Sequence, residues 1–169
     1  MANLPIPARQ GTPTSLSPSL AALLKLVADQ SPAVRVATIP RALTPAERTE
    51  AQSRLRDLDA RNNAPRGGAD TLGEIAILLA GFTITARLTE AQAEAQTETY
   101  ADATDDLPAW AIAAARRAWA RGETDGLKGK IDPSFPPAPA HVRALALQAM
   151  AFPRAEAVRI RRLLTAKVE

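Results

Sequence analysis

Alanine is the residue that most constrains this chain. It fills 37 of 169 positions, against six aromatic residues (three Phe, two Trp, one Tyr). Alanine costs less in a helix than any other residue, but each one removes little area from water. Such a chain has to build a thin core from closely packed helices pinned by a few large anchors. A β-sandwich or barrel would want β-branched and aromatic residues, and those are scarce here. The expected class is all-α: a small helical bundle with a flexible N-terminal tail and a basic C-terminal helix. The length suits one ordinary domain with tails.

Absences narrow the chemistry. With no Cys there are no disulfides, no thiolate nucleophile and no Cys-ligated zinc or iron–sulfur centre. The single His, His141, leaves no His pair for a metal, and no G-x-S-x-G elbow accompanies it. Gly126-Leu127-Lys128-Gly129-Lys130 has the look of a phosphate loop. Thr124 stands where the first Gly of that pattern belongs, however, and Ile131 stands at its Ser/Thr position. A flexible connector is the simpler reading. No catalytic residue, cofactor or metal is expected, and His141 reads as a surface or cap-region residue. No run approaches the roughly 18 apolar residues of a membrane span. No basic segment followed by an apolar run opens the chain, so a soluble cytoplasmic protein is expected.

Prolines and capping patterns set the organisation, and no internal repeat is visible. Residues 1–15 carry three prolines and no hydrophobic period, and read as a disordered tail. Residues 16–66 read as an N-terminal helical arm. Ser17-Pro18 starts its first helix, with Leu20, Leu23, Leu24 and Val27 on one face. Pro32 stops it, and an extended stretch leads to the capping box Thr44-Pro45-Ala46-Glu47. Asn63 to Gly68 is the best internal break. Residues 67–150 read as the helical core, with capping boxes at Thr71-Leu72-Gly73-Glu74 and Thr89-Glu90-Ala91-Gln92 and helix starts at Pro108 and Pro139. Phe82, Tyr100, Trp110, Ile112, Trp119 and Leu145 are its expected anchors. Residues 151–169 read as the basic C-terminal helix, with Pro153 kinking or breaking the chain before Ile160, Leu163 and Leu164 resume the pattern.

Charge is distributed as basic–acidic–basic, although the total is only +3. Glu90, Glu94, Glu98 and Asp102 recur every four residues and so form one acidic stripe. That stripe is a solvated helix face or a docking face for a basic partner; the remaining alternative, a metal site in a bundle, would need Glu-x-x-His motifs that a chain with one His cannot repeat. Arg154, Arg159, Arg161 and Arg162 enrich the polar side of the last helix, where phosphate contact is possible. The expected protein contact there runs through Ile160, Leu163 and Leu164, with Arg159 and Arg162 at the rim.

From Leu88 onward the chain reads L-T-E-A-Q, a helix ending in Tyr100, then D-L-P-A-W-A-I-A-A-A-R-R-A-W and S-F-P-P-A-P-A-H-V-R. Over about residues 71–145 this resembles the small helical domain of phage and prophage replication proteins that load or restrain the host replicative helicase. Ala138 and His141 stand where that family usually carries Thr or Ser and then Glu, so the capping box of the last helix is lost. The resemblance implies a non-enzymatic adaptor whose partner is a host protein, the replicative helicase first. Two alternatives remain open. One is an inhibitor or anti-defence factor that sets the acidic stripe into a nucleic-acid-binding groove. The other is a small DNA-binding regulator acting through the C-terminal arginines.

Overall fold

The computed structural model describes residues 16–82, 88–128, 131–132 and 134–169. The expected disordered tail, 1–15, lies outside them. The protein is predominantly α-helical, as the alanine content requires: α1 (Pro18–Asp29), α2 (Pro45–Asn62), α3 (Gly68–Ala80), α4 (Glu90–Thr104), α5 (Ala109–Ala120) and α6 (Pro139–Leu164). One element was not anticipated. Strands β1 (Thr38–Ile39) and β2 (Lys167–Val168) pair in parallel, Thr38 opposite Lys167 and Ile39 opposite Val168.

The chain divides into two compact units, one comprising the residues up to Leu55 with Arg159–Glu169, the other Arg56–Val158. This differs from the expected sequence of arm, core and C-terminal helix. The end of the chain belongs with its beginning, because β2 pairs with β1. Pro153 does not break the last helix either; α6 runs through it.

In the terminal unit, Leu20, Leu23, Leu24 and Val27 of α1 are buried as their spacing predicts. Ser17 is not a side-chain cap. Its backbone N–H and hydroxyl both donate to the Glu50 carboxylate, at 2.6 and 2.7 Å. Thr44 and Glu47 do form the expected capping box, with the Thr44 N–H donating to Glu47 Oε2 (2.9 Å) and the Glu47 N–H to Thr44 Oγ1 (3.2 Å). Gln30 takes the place of a further strand: its amide donates to the Thr38 carbonyl (2.6 Å) and accepts from the Thr38 N–H (3.0 Å). One edge of a very short sheet is thereby satisfied by a side chain.

In the larger unit, α3 packs against both α4 and α5. Its core gathers Ile75, Leu78, Tyr100, Leu107, Ile112, Trp119, Val142, Leu145 and Met150 around small alanines. Helix α3 begins at Gly68, three residues before its expected capping box. Thr71 lies inside the helix with its hydroxyl on the Gly67 carbonyl (3.1 Å), and Glu74 instead pairs with Arg116 (3.2 Å). Gly67 makes this start possible. Its φ is +64°, its N–H donates to the Leu107 carbonyl (3.2 Å), and a Cβ there would lie 2.9 Å from the Asp105 carbonyl oxygen.

Candidate functional site

Two aromatic anchors hold the segment Phe135-Pro136-Pro137. Tyr100 donates its hydroxyl to the Pro137 carbonyl, and Trp119 donates Nε1 to the Phe135 carbonyl at 3.1 Å. The F-P-P segment is thus tied to α4 and α5 through its backbone. His141 is not a surface residue. It is half-buried and stacks on Trp119, ring centroids 5.8 Å apart at 18°, with Nε2 3.3 Å from the Lys128 carbonyl. That stack supports the start of α6, where Ala138 offers no capping side chain. Of the expected flexible connector, residues 126–130, Gly129 and Lys130 lie outside the described residues; beside them Leu127 and Ile131 pack on the core, and Gln148 donates to the Asp125 carbonyl (3.2 Å). Trp110 is half-buried under the Arg61 guanidinium, 4.0 Å from ring centroid to Cζ, and donates Nε1 to the Arg61 carbonyl. It is therefore engaged as an anchor.

Helix α4 carries the acidic stripe. Thr89 caps it through the expected box with Gln92, and Tyr100 and Thr104 bury its inner face. Glu90, Glu94, Glu98 and Asp102 are all exposed, and none has an ion pair among the described residues. They line an open groove whose apolar surface comes from Ala93, Thr97 and Ala101 of α4 and from Leu72 of α3, itself 42% exposed. Like charges four residues apart cost a helix roughly 0.2–0.5 kcal/mol per pair, so the stripe lowers the stability of α4. Carboxylates near a helix C-terminus are disfavoured again by the macrodipole. There the protein does compensate, because Arg143 grips both oxygens of Asp106 (2.5 and 3.0 Å) and donates to the Ala103 carbonyl (3.0 Å). Arg143 holds the Asp106 carboxyl below the usual carboxylate range. The groove carboxylates receive no such partner.

The expected C-terminal contact set is not presented as one face. Ile160 and Leu163 are 0% and 1% exposed and belong to the buried apolar set of the terminal unit, so they are unavailable to a partner. Leu164 and Arg162 are half-buried, and Arg162 donates to the Ser31 carbonyl (3.3 Å). Arg154 and Arg159 are exposed without an ion pair among the described residues. Ile160 and Leu163 serve the fold of the terminal unit, where the chain end returns to β1.

Leu72 was missed as a groove residue. Its signal was available: the buried set Thr71, Ile75, Leu78 and Leu79 follows helical spacing, and Leu72 falls outside it. Among the described residues no group of three His, Asp or Glu side chains is placed to hold a metal ion, and no helix is long and apolar enough to cross a membrane. Comparison with family profiles, with characterised proteins and with solved structures returns no match.

Proposed function

We propose that the chain acts by binding rather than catalysis, as a phage-derived adaptor that docks on a host replication protein, the replicative helicase first, to load or restrain it. The observation that carries this reading is the α3–α4 groove, with four uncompensated carboxylates over a floor of small apolar side chains. A basic amphipathic helix suits such a groove: its small residues approach the alanines and its cations meet the stripe. The family resemblance supplies the helicase as the partner to try first. The same row of carboxylates supports a second reading, in which the stripe occupies a nucleic-acid-binding groove of a defence nuclease.

The test is titration of a surface-captured bacterial replicative helicase with the wild-type chain and with Glu94→Lys/Glu98→Lys, at low and high salt. Binding by the wild type and a loss of about tenfold or more in the variant are expected, with high salt weakening the wild type. No helicase binding, or equal binding by the variant, overturns the reading. Inhibition of a nuclease that the variant fails to inhibit moves the function to the second reading. Steep salt dependence on duplex DNA, removed by Arg154→Ala/Arg159→Ala, makes DNA the partner.

A further inference from the structure

Helix α6 leaves an apolar line uncovered. Leu147, Ala151, Ala155 and Val158 recur at helical spacing on its exposed side; Phe152, 66% exposed, lies at one border, and Arg154 and Arg159 flank the line. The two arginines have no ion pair among the described residues. We propose that this ridge docks in the α3–α4 groove of a second copy of the same chain.

Three features of the two surfaces match. The ridge is apolar with cationic borders, and the groove is apolar with anionic borders. Their lengths are similar, because Glu90 to Asp102 spans about 18 Å and Leu147 to Val158 about 16.5 Å at the helical rise. The groove floor is built of small residues, Ala93, Thr97 and Ala101, beside which Phe152 and Leu147 find room. The apolar line, Arg154 and the groove belong to Arg56–Val158, one compact unit that leaves them open, and Arg159 is the next residue of α6, so the contact forms between copies. Ridge and groove are different surfaces, so copies either exchange ridges reciprocally, as an isologous pair, or extend head to tail through a heterologous contact. One helix in one groove lies at the small end of interface sizes, below about 1,200 Å², so association depends on concentration. The contact shares the groove assigned to the host partner, and the two therefore compete.

Sedimentation velocity of the chain alone, across a concentration series at low and high salt, reads this without any host protein. Failure here leaves the adaptor reading standing, and failure of helicase binding leaves this contact standing. The wild type is expected to sediment faster with concentration, less so at high salt. Glu94→Lys/Glu98→Lys and Leu147→Ala/Phe152→Ala/Val158→Ala change exposed positions, and each is expected to stay monomeric by itself. Mixed together, they keep one intact groove and one intact ridge and are expected to form a dimer that does not extend. A wild type that stays monomeric at every concentration overturns the proposal and leaves the α6 ridge to a foreign partner. Self-association by either variant at wild-type strength overturns it, as does a mixture that stays monomeric.

Discussion

Gly67 and Gly68 adjoin each other and both have positive φ, but only Gly67 has a backbone carbonyl where a Cβ would go. Gly68→Ala meets nothing within 4 Å and should cost only the left-handed strain, about 1–2 kcal/mol. Gly67→Ala adds a displaced Asp105 carbonyl, so its denaturant midpoint should fall clearly further. Equal losses would mean that the α3 start does not depend on this close approach. Glu47 gives a pH signature. The two Arg41 hydrogen bonds (2.6 and 2.8 Å) hold its carboxyl far below the ordinary range, the Thr44 N–H adds to this, and burial opposes it. A folded-state pKa below the unfolded value gives stability that is present above the unfolded pKa, near about 4.3, and lost as pH falls below it. Glu47→Gln should therefore destabilise the protein most at pH 7 and less, though still measurably, at pH 3, because the contribution vanishes only as pH falls through the folded pKa; chemical denaturation at both values reads this. The same loss at both values would remove the ionised carboxylate from the account.

At the scale of elements, the acidic stripe makes an unusual stability prediction. Glu98→Gln removes two like-charge neighbours at once, Glu94 and Asp102, so it should stabilise α4 by roughly 0.4–1 kcal/mol in a low-salt thermal melt. Destabilisation would mean that Glu98 makes a contact within the fold and that its exposure carries no functional message. The helices and the anchors Tyr100, Ile112, Trp119 and Leu145 were legible because burial imposes a spacing and these residues obey it. Leu107-Pro108 and Thr89-Gln92 were legible because local chemistry fixes those ends. The α3 start was not, since Gly67 acts through a carbonyl some forty residues later, and a T-x-x-E pattern inside a helix looks the same as one at its end. The β1–β2 pair was hidden for a similar reason. Two-residue strands have no period, and Gln30 and Lys167 meet Thr38 and Ala37 only through the fold.

Across the whole molecule, the charge pattern was readable but its allocation was not. Glu90, Glu94, Glu98 and Asp102 needed only a helix to share a face, and α4 supplies it. The apolar residues of the last helix gave no hint of their destination. Ile160 and Leu163 go inward while Leu147, Phe152 and Val158 remain exposed. The distinction depends on which segment the chain end returns to. Docking of the partner in the α3–α4 groove is tested most directly by amide hydrogen exchange. The chain alone and with saturating replicative helicase should differ by slowed exchange concentrated in residues 90–102 and around Leu72, where apolar side chains and carboxylates line one groove. Slowed exchange confined to α1, β1 and β2, with α4 unchanged in the bound state, would contradict it.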